Sequence, residues 1–180
     1  MIRLLDIIFS LIGLILFFPV FILIFLIEFL NSGSPLFIQK RVGLNLKRFS
    51  LIKFRTMKIG TLSLGTHLIN PSNVTYFGNF LRKSKLDELP QLLNVLIGHM
   101  SLVGPRPCLP NQKRLIIERK KRGVFKVKPG ITGLAQLSDI NMSIPTLLAK
   151  TDLKMIKKIN LYYYFYYIFK TALLILRKKS

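Results

Sequence analysis

Asp87 and Glu88 stand side by side in a chain that holds only 7 Asp+Glu against 28 Lys+Arg. Adjacent carboxylates repel, so a site that uses both needs a cation to offset them. Cations are close in the sequence. Arg82, Lys83 and Lys85 precede the pair, Lys53-Phe54-Arg55-Thr56 lies upstream, and Gly104-Pro105-Arg106-Pro107 follows. An arginine between two prolines loses little rotational freedom when it grips a phosphate, and its planar fork suits two phosphate oxygens. A carboxylate dyad among arginines fits a divalent metal and a phosphorylated substrate. A simpler reading competes with this one. Pro90 suits the first turn of a helix, which makes Asp87 a helix cap and Glu88 a residue of the first turn.

The elements that must position these residues fall into three segments. Residues 1–32 form an apolar segment in which Ile7 to Ile27 carry no charge. At about 1.5 Å per residue, a helix of that length covers roughly the 30 Å of a bilayer core. Pro19 interrupts it, removing one helical hydrogen bond and favouring a kink. Arg3 precedes the run, and Lys40, Arg41, Lys47 and Arg48 follow it. Positive charge on both flanks orients a helix only weakly and leaves spanning and re-entrant readings both open. No small-residue cleavage site follows, which argues against a removed signal peptide. Asp6 and Glu28 bracket the run and are expected at the interface.

Residues 33–143 carry the punctuation of a compact domain. Leu36-Phe37-Ile38 and Phe49 to Phe54 read as two strands, with a turn near Gly43-Leu44-Asn45. Gly60 to Ser72 reads as a mobile loop, while Leu89 to Ile97 and Lys113 to Lys121 read as helices. Residues 144–180 are helical in pattern and complete the same domain. There Tyr162 to Tyr167 precede an apolar stretch and Arg177-Lys178-Lys179. Aromatics beside an apolar face with basic ends suit an amphipathic helix in the headgroup layer; a core helix with an aromatic stripe is the alternative. The expected class is α+β, mostly helical, with a short β-hairpin.

Composition narrows the function. The chain has 180 residues, a net charge of +21 and 51% hydrophobic residues, 14 of them Phe. Such apolar content excludes a disordered basic tail. A basic surface attracts anions, whether lipid headgroups, phosphorylated substrates or nucleic acid. Base-stacking aromatics interleaved with lysines would mark nucleic-acid binding, but Tyr162 to Tyr167 have no basic residue among them. Nucleic acid is therefore not an expected partner. With a single cysteine, Cys108, no intrachain disulfide forms and a cysteine-rich metal site is not expected. His67, His99 and Cys108 lack partners at catalytic spacing and are read as structural.

Several motifs occur in a fixed order: Gln39-Lys40-Arg41-Val42-Gly43, Lys53-Phe54-Arg55-Thr56-Met57, Leu86-Asp87-Glu88-Leu89-Pro90-Gln91, Met100 to Pro107, and Lys128 to Gln136. Together they resemble the bacterial sugar transferases, the monotopic polyprenol-phosphate phosphoglycosyl transferases. The resemblance runs from the N-terminal apolar segment to about Asp152. It implies transfer of a phosphosugar from a nucleoside-diphosphate (UDP) sugar to undecaprenyl (polyprenol) phosphate, with release of UMP, at the start of a surface polysaccharide or glycan.

The resemblance also implies roles by position. Asp87 matches the nucleophile that forms an aspartyl-phosphosugar intermediate, and Glu88 the second acid, which coordinates Mg2+ or assists proton transfer. The metal is expected at Asp87 and Glu88. Arg82 and Arg106 match cations near the substrate phosphates, Lys53 and Arg55 add charge at a strand end, and Asp152 matches a downstream acid of the site. The N-terminal helix is implied to be re-entrant and broken at Pro19. That puts the protein on the cytoplasmic face of the bacterial inner membrane, with downstream glycosyltransferases among its expected partners. Departures are His99, Leu46, Tyr76, Met155 and Tyr164, each where the pattern usually has another residue. Pro129, Gly130 and Gly133 are read as shaping a turn. The other class in play is a non-catalytic relative or scaffold, against which the intact dyad and the intact Gly-Pro-Arg-Pro segment argue.

Overall fold

Phe17 marks the point at which the N-terminal apolar run breaks. In the computed structural model, which describes residues 1–61 and 70–177, helix α1 (Ile2–Leu16) ends beside it. Helix α2 (Phe18–Ser32) begins with Pro19 in its first turn. Pro19 has no N–H for the preceding turn, and its ring opposes the carbonyl four residues back. The two helices meet at a 63° bend. No single described helix is long and apolar enough to cross a membrane, whereas the bent pair together meets those criteria of length and composition.

Polar residues of this pair are buried while many apolar ones face outward. Asp6, Ser10 and Glu28 are 2%, 0% and 2% exposed, while Leu4, Leu11, Ile15, Leu16, Phe18, Leu23 and Leu30 face outward. Asp6 explains part of the inversion. Its Oδ1 accepts hydrogen bonds from the Ser101 hydroxyl, the Leu102 N–H and the Tyr164 hydroxyl, each at 2.9 Å. Burial, and then the charge of Asp6, pushes the Tyr164 phenol well above its ordinary range, so it stays a donor.

The expected hairpin is present as β1 (Leu36–Val42) and β2 (Arg48–Phe54), antiparallel from Leu36 opposite Phe54 to Val42 opposite Arg48. Leu46 in the intervening turn has φ +62°, a left-handed conformation that favours glycine. Then follow α3 (Tyr76–Ser84), α4 (Gln91–Leu96), β3 (Ser101–Val103), α5 (Lys113–Lys121), β4 (Gly130–Thr132), α6 (Leu134–Leu137), α7 (Pro145–Lys158) and α8 (Leu161–Arg177). The predicted helix over 113–121 coincides with α5. The one predicted over 89–97 is shorter, because a 3-10 turn at Leu86–Glu88 and Pro90 precede its first residue. Helix α3 and the parallel pairing of β3 with β4 were not expected. The loop expected over 60–72, with His67, falls mainly on residues 62–69, outside the described residues, as do Lys178 and Lys179.

The core ties these pieces together. Phe49 and Leu51 of β2 pack on Val95 of α4 and Met100. Ile24, Phe54 and Leu81 join α2, β2 and α3, and Val103, Met155, Tyr164 and Tyr167 join β3, α7 and α8. Met155 and Tyr164, two departures from the family pattern, are thus core residues. Cys108 packs with Val42, Leu115, Ala135 and Leu148. Fully buried Asn94 fastens α4 to β2, accepting from the Ile52 N–H at 2.9 Å and donating to the Ser50 carbonyl at 2.8 Å.

Asp6→Ala would strand the donors that converge on it, and an unsatisfied buried donor costs about 1–3 kcal/mol. The variant is expected to lose at least about 3 kcal/mol, read as a lower midpoint of thermal unfolding in detergent. Asp6→Asn keeps an acceptor oxygen and is expected to lose less.

Candidate active site

Lys85 ends α3 in the left-handed region, with φ +61°, and turns the chain into the 3-10 turn at Leu86–Glu88. On this turn Leu86, with Leu89 just beyond, packs on the cluster shared by α2, β2 and α3. The acids between them, Asp87 and Glu88, are left 6% and 9% exposed. Neither caps α4, whose N-cap is Pro90 and which has no side-chain cap. The simpler reading of the dyad, as helix decoration, therefore does not describe this turn.

Glu88 is paired. Its Oε1 accepts from Arg106 Nη2 at 2.6 Å, and the Arg106 side chain remains 43% exposed. No hydrogen bond or ion pair among the described residues takes the Asp87 carboxylate. Arg106 is held by its backbone as well as its side chain. Arg119 of α5 donates from Nη1 to the Arg106 carbonyl at 2.8 Å, and Arg41 of β1 donates to the Pro107 carbonyl at 3.1 Å. The loop is clamped a third way by glycines. A Cβ on Gly130 would lie 2.0 Å from the Gly104 nitrogen, so only glycine allows β4 to press against the Gly-Pro-Arg-Pro segment. Gly130 thus serves close packing within a strand.

Electrostatics separate the two acids. Burial and the neighbouring Glu88 raise the Asp87 pKa to about 6, against the pull of Lys53, Lys85 and Arg106. Burial also opposes the charge of Glu88, but Arg106, Lys85 and Lys53 outweigh it and hold this carboxyl below its usual range. Lys53 follows Phe49 and Leu51 along one face of β2. Burial lowers its pKa to about 8, while Asp87 acts to raise it. Burial likewise lowers Arg82, opposed by Asp87, and Arg82 Nε donates to Thr56 Oγ1 at 2.8 Å. Glu88 raises Arg106.

Of the residues singled out in the sequence, Asp87, Glu88, Arg82, Arg106 and Lys53 come together. Arg55 and Asp152 do not reach the dyad. Arg55 donates to the Ser34 carbonyl at 2.7 Å and the Ser34 hydroxyl at 3.0 Å, tying the link between α2 and β1 to the end of the hairpin. Asp152 pairs with Arg119 at 2.8 Å, with both side chains almost fully buried. It therefore acts two contacts away, by fixing the arginine that holds the Arg106 carbonyl. Sequence reasoning assigned no role to Arg41 or Arg119. The motif around Arg41 was noticed, but nothing in the spacing of Arg119 separates it from the solvated lysines beside it.

No group of three or more His, Cys, Asp or Glu among the described residues forms a metal site by itself. Mg2+ commonly takes one or two carboxylates and completes its shell with substrate phosphates and water. Asp87 and Glu88 fit that donor set.

The raised Asp87 pKa has a consequence for stability. The folded carboxyl keeps its proton to higher pH than the unfolded one, so its stabilising contribution is present below about pH 4 and lost as pH rises through about 6. Asp87→Asn is expected to stabilise the fold at pH 7.5 by about 1–3 kcal/mol. In thermal melts that gain should vanish near pH 4.

Known proteins are similar to this chain in sequence. A 113-residue stretch is 50% identical to the uncharacterized sugar transferase EpsL of Bacillus subtilis (strain 168), covering 62% of this chain and 55% of that protein. Over 141 residues the chain is 43% identical to the UDP-glucose:undecaprenyl-phosphate glucose-1-phosphate transferase of Escherichia coli (strain K12), covering 74% of this chain and 30% of that one. Over 156 residues it is 38% identical to the exopolysaccharide production protein ExoY of Rhizobium meliloti (strain 1021), covering 76% and 68%. The chain thus spans about half, or less, of the length of the first two. The match to the bacterial sugar transferase family runs over residues 1–178, and the chain belongs to that family.

Proposed function

We propose that this chain is a phosphoglycosyl transferase that moves a phosphosugar from a UDP-sugar to undecaprenyl phosphate and releases UMP, as the initiating step of a surface glycan. The observation that carries the reading is Asp87, a 6% exposed carboxylate left unpaired beside a Glu88 that Arg106 neutralises. A residue that only stabilised the fold would not be left charged, buried and without a partner. Relatives that are UDP-glucose:undecaprenyl-phosphate glucose-1-phosphate transferases support a UDP-sugar donor and an undecaprenyl phosphate acceptor.

The chemistry runs in two displacements. An Asp87 oxygen attacks the sugar-bearing phosphorus; a P–O bond forms, and the bond to the bridging diphosphate oxygen breaks, its electron pair leaving on UMP. An oxygen of the polyprenyl phosphate then attacks the same phosphorus, and Asp87 leaves as a carboxylate. A carboxylate approaches an anionic diphosphate only if the charge around it is offset, and Lys53, Arg82 and Arg106 supply that field. Mg2+, held by Asp87 and Glu88 with the donor phosphates, would add Lewis-acid charge neutralisation. Glu88 keeps Arg106 aimed at the site.

The same reading assigns the bent N-terminal pair to the membrane as a re-entrant hairpin, with the dyad on the cytoplasmic face of the bacterial inner membrane. Its support is the burial of Asp6, Ser10 and Glu28 beneath a dense run of outward apolar side chains, a pattern that suits apolar surroundings. Helix α8 adds an exposed face of Leu161, Tyr162, Phe165, Phe169 and Leu173, and Phe165 meets Phe9 of α1 edge-on at 5.9 Å.

In a UMP-release assay with a UDP-sugar, Mg2+ and undecaprenyl phosphate, Asp87→Asn is expected to lower turnover by at least about 1,000-fold. Full activity in that variant would remove Asp87 as the nucleophile. The wild-type rate should rise with pH through about 6 as Asp87 ionises and fall above about 8 as Lys53 loses its charge. For topology, cysteines placed at Met1 and Ser34 should be labelled from the same side of spheroplasts; labelling from opposite sides would exclude the hairpin.

A further inference from the structure

Lys128 opens the motif that runs to Gln136, and the transfer reaction gives it no role. Its ammonium lies next to a second cation. Gly98, with φ +88°, has no Cβ, and the place that a Cβ would take is bordered by Arg3 Nη2 at 3.4 Å and Lys128 Nζ at 3.6 Å. Arg3 donates to the carbonyls of Val95 and Leu96 at 2.5 and 2.7 Å, and a guanidinium carries further N–H groups. Among the described residues Lys128 makes no side-chain hydrogen bond or ion pair, and no acid pairs with Arg3. Two cations beside one small gap, with no carboxylate between them, attract an anion.

Lys128 also lines a cavity of about 190 Å³ bounded by α1, β3 and α7. Ile2, Val127, Ile156 and Ile159 form apolar walls, and Gly104 and Pro105 of the arginine loop line it too. The two side-chain hydroxyls in the lining, those of Ser101 and Tyr164, are already committed, each donating to Asp6 at 2.9 Å. A sugar or a nucleoside would find Lys128 the one side chain with donors to spare and would bury hydroxyls without partners; a hydrocarbon needs none. Asp87, Glu88 and Arg106 do not line this cavity, so its occupant is not placed to react. Leu4 and Ile97, the neighbours in sequence of Arg3 and Gly98, are 61% and 62% exposed. Such an apolar rim suits an anion that arrives with a hydrocarbon chain rather than a free phosphate. We propose that Arg3 and Lys128 hold the phosphate of an anionic phospholipid and that the cavity behind the arginine loop takes the start of one acyl chain. The proposal rests on the membrane placement of the bent helix pair inferred above and adds to it a site selective for lipid charge.

Two measurements test it. The chain is placed in nanodiscs of equal parts phosphatidylcholine and phosphatidylglycerol, released, and weighed by native mass spectrometry. The wild type is expected to retain phosphatidylglycerol in preference to phosphatidylcholine. Lys128→Gln should lower that retention by about fivefold, the worth of one cation at an anionic surface, and Lys128→Arg should restore it. Equal retention of the two lipids by the wild type, or undiminished retention by Lys128→Gln, would leave Arg3 and Lys128 as helix-end cations and overturn the site. Inorganic phosphate should not displace the retained lipid; displacement would make this a site for a free anion and overturn the lipid assignment. Failure of the wild type to enter nanodiscs of phosphatidylcholine alone would overturn the membrane placement instead. The second measurement locates the chain. A phosphatidylglycerol with a diazirine early in one acyl chain should crosslink to Ile156 or Ile159, and crosslinks confined to the outward faces of α1 and α2 would refute the cavity assignment.

Discussion

Glu88 and Arg106 meet at 2.6 Å, and much of the polar architecture serves to keep them there. Two adjacent buried carboxylates are electrostatically intolerable unless one is neutralised. The Arg106 pairing neutralises Glu88 and leaves Asp87 charged, buried and available. Arginine side chains are flexible, so a fixed pairing needs a fixed backbone. Arg119 holds one carbonyl of the Gly-Pro-Arg-Pro loop and Arg41 holds the next. Asp152 in turn holds Arg119 inside the protein. The result is a positive charge whose position costs little reorganisation when an anion arrives.

The bent N-terminal helix pair and the turn that carries the dyad are mechanically one unit. Leu86 and Leu89, which flank the acids, pack in the cluster that contains Ile24, Phe21 and Phe25 of α2. Asp6 reaches in the other direction, to Ser101 and Leu102 at the strand that leads directly into the arginine loop. Both halves of the site, the carboxylate turn and the arginine loop, are therefore indexed to the bent helix pair. A helix pair that turns so many apolar side chains outward forms such contacts through its inward face, which is the face that carries Asp6, Ser10 and Glu28.

The readable parts of the sequence were those governed by local rules. Alternation marked the β-hairpin, Pro19 marked the bend, and the helix read over Lys113–Lys121 is present. The dyad stood out because acids are scarce. What escaped were contacts made across the fold. The β3–β4 pair has only three residues per strand and is brought together by the approach of Gly104 to Gly130, which no local pattern encodes. Arg119 sits among Arg122, Lys120 and Lys121 and differs only in being turned inward. Arg55 and Asp152 share residue types with the site, but their geometry commits one to Ser34 and the other to Arg119.

Arg3 gives that unity a practical meaning. From the first turn of α1 it donates to the carbonyls of Val95 and Leu96 at 2.5 and 2.7 Å, closing the open end of the helix that follows the dyad. The apolar hairpin is for this reason not a detachable tether. Trimming it for the sake of solubility would uncover the end of α4, and grafting it onto another protein would carry away part of the framework that holds the dyad. Modularity, common where a membrane anchor is joined by a linker, stops short in this fold.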